Sequence, residues 1–129
     1  VLRRALRELA AWSRDGFEID IAVNLSAPDI IDPTLPDYIL GELARHGIAA
    51  SRLVLEITES AFMREAATAS RHMEHLRVAG VRFSIDDFGT GYSSLSQLQK
   101  LPVDELKIDR SFIVAADSDA DNRAVVRTI

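Results

Sequence analysis

Four apolar runs in this chain each end, in the same side-chain phase, on a residue that can bind a metal or move a proton. The runs cover residues 19–25, 53–57, 81–86 and 103–108, and their polar residues are Asn24, Glu56, Asp86 and Lys107. Side chains alternate across a β-strand, so the apolar neighbours of Glu56 point away from it. The pattern predicts four strands that present four polar side chains on one face.

Helical segments separate these predicted strands. Helical patterns precede the first three strands and end at Gly16, Gly47 and Gly80, since glycine commonly follows the last turn of a helix. The third of these helices is expected to carry an apolar stripe formed by Met63, Ala66, Ala69, Met73 and Leu76. Further helices are predicted after Ser93, from Ser111 and over 119–129. Strands that alternate with helices of this length indicate right-handed crossovers and a parallel sheet.

The polar residues within the strands distinguish a barrel from an open sheet. A doubly wound sheet is covered by helices on both faces, so its strands are apolar throughout. Here one phase of the strands is polar: Asp20, Asn24, Glu56, Arg82, Ser84, Asp86, Glu105, Lys107 and Asp109. This pattern favours an α/β fold that is part of a (β/α)₈ TIM-like barrel, with about four parallel strands and catalytic residues at their C-terminal ends. The alternative is an antiparallel sheet with one wet face, which the helix-length spacers disfavour.

Length and composition limit the partners. A chain of 129 residues with 47% hydrophobic and 27% charged residues is typical of one globular domain. No apolar run approaches a membrane span, so we expect no membrane contact by this segment. The net charge of −5 disfavours a nucleic-acid polymer as partner. The absence of cysteine fits a reducing compartment, and a start at Val1 suggests a piece of a longer protein.

The polar strand ends carry the chemistry of a divalent-metal site. Glu56, Asp86 and the adjacent Asp87 offer hard carboxylate oxygens, and Asn24 adds a neutral carbonyl oxygen, a set that suits Mg²⁺ or Mn²⁺. Two neighbouring aspartates can serve two ions that clamp both oxygens of a phosphoryl displacement. Lys107 supplies a positive charge or, if its pKa is lowered, a base for a water.

The segment 86–95, Asp-Asp-Phe-Gly-Thr-Gly-Tyr-Ser-Ser-Leu, is the most specific part of the sequence. Together with Asn-Leu-Ser at 24–26, Glu-Ile-Thr-Glu-Ser at 56–60 and Lys-Ile-Asp-Arg-Ser-Phe at 107–112, it resembles the EAL domain family. These are the cyclic di-GMP phosphodiesterases of bacterial signalling, and the resemblance spans practically the whole chain. It implies a (β/α)₈-like barrel that hydrolyses cyclic di-GMP to linear pGpG with two Mg²⁺ or Mn²⁺ ions.

The resemblance also implies a role for each matching residue. Asn24 and Glu56 resemble ligands of the first metal, Asp86 a bridging ligand and Asp87 a ligand of the second. Lys107 resembles the residue that positions or activates the attacking water.

Further residues match the family near these ligands. Glu59 resembles the glutamate that steadies the loop after Asp87, and we count it as catalytic with Lys107. Asp109 is expected to support the ligands. The loop from residue 88 to 95 resembles one that couples metal binding to dimer contacts, with Phe88, Gly89, Thr90, Gly91, Tyr92 and Ser93 as its main residues. Three histidines match nothing in the family and are expected on helix surfaces: His46, His72 and His75.

The departures from the family suggest an incomplete domain. The Glu-Ala-Leu tripeptide is absent and would precede Val1, while a further glutamate and a glutamine would follow Ile129. We therefore expect residues 1–129 to be a partial EAL domain truncated at both ends, with four of eight strands and no activity by itself. For the parent, the resemblance implies a homodimer, a fused sensory or diguanylate cyclase domain, and a cytoplasmic location in bacteria, including the cytoplasmic part of a membrane-anchored protein.

Two other functions remain open at this point. One is a catalytically inactive EAL-like receptor for cyclic di-GMP, or a protein-interaction module. The other is an enolase-like Mg²⁺-dependent barrel enzyme with a lysine base. The Asp86-Asp87 pair and its glycine-rich loop suit a phosphodiester better than an enolase substrate.

Overall fold

The computed structural model describes residues 1–88, 102–111 and 114, and its centre is a parallel sheet. The four described strands are β1 (Ile21–Asn24), β2 (Leu53–Thr58), β3 (Arg82–Phe88) and β4 (Glu105–Ile108). They lie side by side in chain order, and every neighbouring pair is parallel. The prediction of four parallel strands alternating with helices is confirmed.

Helix α1 (Leu2–Arg14) precedes β1. The connection from β1 to β2 contains α2 (Ala27–Ile30), α3 (Leu35–His46) and a 3₁₀ turn (Ala50–Arg52), and the connection from β2 to β3 contains α4 (Glu59–Arg64) and α5 (Ala66–Val78). Helix α3 ends as predicted, because Gly47 adopts the left-handed conformation with φ 65° and its N–H bonds to the Ala44 carbonyl. Within the described residues, no helix is long and apolar enough to cross a membrane.

The apolar core lies between the sheet and these helices. On β2 the side chains of Leu53, Leu55 and Ile57 are fully buried, while Glu56 between them belongs to the other, partly exposed face. Complete burial of a leucine or isoleucine side chain stabilises a fold by about 1.5–3 kcal/mol. The alternation that was read from the sequence therefore fixes which face of the sheet the helices cover.

The structure corrects the predicted third helix. It consists of two helices, α4 and α5, because Glu65 leaves the helical conformation with φ −139° and ψ 45°. Met63 is 39% exposed and was wrongly assigned to the core stripe, whereas Ala69, Met73 and Leu76 are buried as expected. A run of good helix formers contains no glycine or proline to mark this break.

Other boundaries also differ from the prediction. Strand β1 begins at Ile21 rather than at residue 19, and β4 begins at Glu105 rather than at 103. Ser111 is helical, as predicted, but the helices expected after Ser93 and over 119–129 lie outside the described residues. All three histidines lie on helices, as expected; His75 is exposed, whereas His46 and His72 are half-buried.

Candidate active site

The predicted polar residues come together at the C-terminal edge of the sheet. Asn24 and Glu56 are register partners on β1 and β2, and Asp86 on β3 pairs with Thr58, two residues farther along β2. In a parallel sheet the carboxyl ends of all strands meet at one edge, and in (β/α)₈ barrels this edge carries the active site. The register therefore places Asn24, Glu56 and Asp86 at one edge of the sheet, and their role as metal ligands stays a prediction.

Lys107 bridges two strands of this edge. Its ammonium group on β4 donates a hydrogen bond to Oε1 of Glu56 on β2, across the intervening strand β3. The Glu56 side chain is only 12% exposed. This hydrogen bond holds the pKa of Lys107 above its ordinary value; burial opposes it, and the charges of Glu56, Asp86 and Glu105 each add a smaller increase. In this arrangement Lys107 acts as a hydrogen-bond donor to Glu56, and its role toward an attacking water stays a prediction.

A β-bulge shapes the end of β3. Ile85 pairs with Leu106 and Phe88 with Ile108, so three steps along β3 correspond to two steps along β4. Asp86 and Asp87 are the two residues inside this irregularity. A bulge adds one residue to a strand and redirects the side chains beyond it.

The bulge changes where Asp87 points. In a regular strand Asp87 would share the buried, helix-facing phase of Ile85. Instead Asp87 is exposed and Phe88, which is 3% exposed, joins the core. The Asp87 N–H donates to Oδ1 of Asp86 at 3.0 Å. Two consecutive carboxylates can therefore serve the same edge of the sheet.

Asp87 has an unusual backbone conformation. Its φ is 55°, and it is the single non-glycine residue with positive φ in the part of the chain that the structure describes. This left-handed region costs most L-residues roughly 1–2 kcal/mol, and aspartate tolerates it better than most. Such strain is concentrated at functional sites, where the surrounding structure enforces it.

Glu59 lies directly beyond the end of β2, as the first residue of α4. It is 4% exposed, and the preceding Thr58 caps the helix by accepting a hydrogen bond from the Ala61 N–H at 3.3 Å. The structure therefore places a buried carboxyl group next to the predicted ligand edge. The steadying role of Glu59 stays a prediction, as do the roles of Gly89 to Ser93, which lie outside the described residues.

Asp109 follows the end of β4 and organises the chain there. Its carboxylate accepts hydrogen bonds from the Ser111 N–H at 2.8 Å and from the Ser111 hydroxyl, and these bonds lower the pKa of Asp109. Its own N–H donates to the Phe88 carbonyl at 3.0 Å. Asp109 thus ties the end of β4 to the end of β3, and support of the metal ligands remains an expectation.

The chain directly after Asn24 forms a short helix, α2, that the sequence reading missed. Ser26 and Asp29 form a capping box, in which the Ser26 side chain accepts from the Asp29 N–H and the Asp29 carboxylate accepts from the Ser26 N–H. Pro28 also stands in the first turn. Serine followed three residues later by an acid, with proline between them, is a signal for a helix start that could have revealed it.

The donor set at this edge fits a hard divalent cation. Asn24, Glu56, Asp86 and Asp87 offer only oxygen atoms, as Mg²⁺ and Mn²⁺ prefer. Among the described residues, no group of three or more histidine, cysteine, aspartate or glutamate side chains is arranged to hold a metal. The contact between Glu56 and Lys107 is consistent with this finding, because it occupies one carboxylate oxygen.

Comparison with known proteins identifies the family. The model of the EAL domain matches residues 1–129, which is the whole chain. The chain belongs to the EAL domain family. Membership supports the fold as part of an EAL α/β barrel and gives no support to the enolase-like alternative.

Two curated relatives of this EAL chain come from Pseudomonas aeruginosa. One is MucR, a bifunctional diguanylate cyclase and cyclic di-GMP phosphodiesterase, which is 46% identical over 130 residues that cover 100% of this chain and 19% of MucR. The other is the cyclic di-GMP phosphodiesterase NbdA, 47% identical over 115 residues that cover 88% of this chain and 15% of NbdA. The EAL chain therefore corresponds to a small part of each relative.

Solved EAL structures share its fold. The PaMucR phosphodiesterase in complex with cyclic di-GMP superposes with a TM-score of 0.82 at 46% identity, over 99% of this chain and 52% of that one. The EAL domain of Mycobacterium smegmatis DcpA gives a TM-score of 0.80 at 36% identity, over 98% of this chain and 58% of that one. The EAL chain spans only a little more than half the length of these structures.

Proposed function

We propose that this chain is part of the catalytic domain of a cyclic di-GMP phosphodiesterase. In the intact parent, this domain hydrolyses one phosphodiester bond of cyclic di-GMP to give linear pGpG, with two Mg²⁺ or Mn²⁺ ions. The observation that carries the proposal is the shared edge at which Asn24, Glu56 and the bulged pair Asp86-Asp87 lie with Lys107. MucR and NbdA, the curated relatives, are cyclic di-GMP phosphodiesterases.

Electrostatics at this edge support a need for divalent cations. Lys107 contacts the carboxylate of Glu56 and is influenced by that of Asp86, and Asp87 adds a third carboxylate beside Asp86, which leaves a surplus of negative charge. A phosphodiester anion would be repelled by this surplus, most strongly where water is excluded. Bound Mg²⁺ or Mn²⁺ would reverse the local charge and supply a water-derived nucleophile at neutral pH.

Each residue of the edge has a proposed task. Asn24, Glu56 and Asp86 would hold the first ion, and Asp86 and Asp87 would hold the second. Because Lys107 is held as a cation, we assign it to orienting the attacking water and to balancing negative charge on the phosphate. Glu59 and Asp109 support the ends of β2 and β4, and the remaining ligands are expected from parts of the parent outside residues 1–129.

The test is hydrolysis of cyclic di-GMP by the intact parent protein with Mg²⁺ or Mn²⁺. Glu56→Gln and Asp86→Asn keep the size of each side chain and remove its charge. We expect each to lower turnover by about 100-fold or more, because even residues that only support metal ligands contribute about 10- to 100-fold. Glu18→Gln is the matched control, since Glu18 is an exposed glutamate in the loop before β1. Unchanged hydrolysis in both site variants would contradict the assignment.

A receptor that binds cyclic di-GMP without hydrolysing it is the second candidate. The EAL domain of Xanthomonas citri FimX in complex with cyclic di-GMP has a TM-score of 0.83 at 25% identity, over 98% of this chain and 50% of that one. Binding of cyclic di-GMP by the wild-type parent, with no pGpG formed in Mg²⁺ or Mn²⁺, would favour this candidate over the enzyme.

Assembly and location complete the proposal. We propose that the intact domain forms a homodimer through the loop after Phe88; Phe88 itself ends β3 and is buried, so it does not belong to that loop as the sequence predicted. We also propose that the parent is a bacterial cytoplasmic protein or has its EAL domain in the cytoplasm. A fused sensory or diguanylate cyclase domain is supported by the bifunctional nature of MucR. Sedimentation of the intact parent with and without Mn²⁺ tests the dimer.

A further inference from the structure

We propose that His72 is a positioning residue for Asn24. It fastens the C-terminal end of α2, the short helix that follows Asn24, to α5 and thereby holds the end of β1 in place. The inference rests on the proposed function, because Asn24 acts there as a metal ligand. Its structural part, the fastening of α2, can be measured independently of any activity.

The contact joins two distant parts of the chain. Nδ1 of His72 lies 2.7 Å from the carbonyl oxygen of Ile30, which is 42 residues away in sequence. A carbonyl oxygen can only accept, so Nδ1 carries the proton in this hydrogen bond. Ile30 is the last residue of α2, and carbonyl groups in the last turn of a helix lack a partner within the helix. His72 supplies the missing donor.

The segment between Asn24 and Ile30 is held at three points. At its start, the Leu25 N–H donates to the Glu56 carbonyl at 2.8 Å and so extends the pairing of β1 with β2. In its middle, the capping box of Ser26 stiffens the first turn of α2. At its end, Ile30 is fully buried and bonded to His72. Residues 25–30 are therefore tied to β2 at one end and to α5 at the other.

Loss of the contact at the end of α2 would affect Asn24 through residues 25–30. Without His72, the end of α2 would be held only by apolar packing, with Ile30 fully buried and Ala27 partly buried against the core. The helix could then pivot about the Leu25 hydrogen bond, which is adjacent to Asn24. A ligand displaced by a fraction of an ångström binds its metal less well, and supporting residues of this kind commonly contribute about tenfold to metal affinity.

The chain offers a matched set of variants for the intact parent protein. His72→Ala removes the donor. His72→Asn keeps one, because the amide nitrogen of asparagine occupies nearly the place of Nδ1. His72→Gln places its amide nearer to Nε2 and should behave like alanine. His75→Ala is the control, since His75 lies on the same helix and is exposed.

Hydrogen exchange, followed by mass spectrometry on the peptide that covers 25–35, is the first measurement. We expect exchange in this peptide to be about fivefold faster in His72→Ala and His72→Gln, because one hydrogen bond is lost. Exchange in His72→Asn and His75→Ala should be close to that of the wild type. The second measurement is MnCl₂ titration by calorimetry and by turnover. The half-saturating Mn²⁺ concentration should rise about three- to tenfold in the first two variants, with kcat at saturating Mn²⁺ within about twofold of wild type.

The outcomes separate this inference from the proposed function. Unchanged exchange in His72→Ala, equal effects of asparagine and alanine, or unchanged Mn²⁺ affinity would each overturn the positioning role. If His72→Ala does not fold, the contrast between His72→Asn and His72→Gln gives the same decision. A wild-type parent that hydrolyses no cyclic di-GMP would contradict the proposed function, whereas faster exchange and weaker Mn²⁺ binding in His72→Ala would still support the inference.

Discussion

A comparison of the stabilities of Asp87→Gly and Asp87→Ala tests the left-handed backbone conformation of residue 87. This conformation accompanies the placement of Asp86 and Asp87 at the same edge of the sheet. Both variants lack the carboxylate, so every interaction of the aspartate side chain is lost equally in the two. They differ by one Cβ atom at a residue whose φ is 55°. We expect the glycine variant to be the more stable, although glycine is usually the less stable choice in a strand or helix.

The size of the effect follows from two opposing contributions. The left-handed conformation costs a residue with a Cβ roughly 1–2 kcal/mol. Glycine loses more conformational freedom on folding than alanine, which costs about 0.5–1 kcal/mol. The difference favours glycine at position 87 by about 0.8 kcal/mol, which corresponds to about 2–3 °C in the unfolding midpoint of a domain of 150–250 residues.

Gly41 provides the matched control for the same pair of residues. It lies on the exposed side of α3, its φ is not positive, and a Cβ added there would meet no atom within 4 Å. Gly41→Ala should therefore stabilise the protein by about 0.4–1 kcal/mol. Alanine should therefore be more stable than glycine at position 41, and glycine more stable than alanine at position 87, because of the two only position 87 has positive φ.

The assay is urea and thermal unfolding of the intact parent carrying Asp87→Gly, Asp87→Ala or Gly41→Ala, with turnover measured in parallel. Both variants at position 87 should lose turnover to the same degree, since each lacks the proposed ligand. If alanine proves as stable as glycine at position 87 while Gly41→Ala stabilises as expected, Asp87 does not adopt the left-handed conformation. In that case the β-bulge would not be what redirects the Asp87 side chain.

Two further predictions concern the cap of α4 and the isolated chain. Thr58→Ala removes the hydroxyl that accepts from the Ala61 N–H, so the parent should lose about 1 kcal/mol of stability in urea denaturation. Thr68→Ala, at a half-buried position inside α5 that caps no helix, should cost less, and equal losses at the two positions would contradict the capping role. The isolated 129-residue chain should show no appreciable hydrolysis of cyclic di-GMP in Mg²⁺ or Mn²⁺, and turnover comparable to that of the parent would refute our account of ligands supplied from outside it.

Much of the fold could be predicted because two patterns are strong in this sequence: the alternation of apolar and polar side chains along the strands, and the glycines at the ends of the helical segments. Alternation along β2 placed Leu55 in the core and Glu56 on the polar face, and the structure agrees. Glycines marked the ends of the segments between strands, as Gly47 does in a left-handed conformation. Since parallel strands end at the same edge, the pattern also brought Asn24, Glu56 and Asp86 to one place without any knowledge of their distances.

The contacts that cross several elements could not be predicted in this way. The bond between Lys107 and Glu56 depends on the register of three strands, and the residue between them on β3 gives no sign of it. The bond between His72 and Ile30 depends on how α5 packs over α2. Helix α2 was itself not predicted, because the capping box of Ser26 and Asp29 was overlooked. Local patterns report which face a residue takes, whereas such pairings follow from tertiary packing.

The bulge at the end of β3 did leave a trace in the sequence. Continued alternation after Ile85 would put Asp87 among the apolar side chains and Phe88 on the polar face, and each placement is unfavourable. One added residue corrects both faults together, because it shifts every later residue to the opposite face. The structure shows this result, with Asp87 exposed and Phe88 buried. Two adjacent residues that both violate the phase of a strand are therefore evidence for an inserted residue. Here the insertion allows β3 to offer two consecutive carboxylates to the proposed metal site.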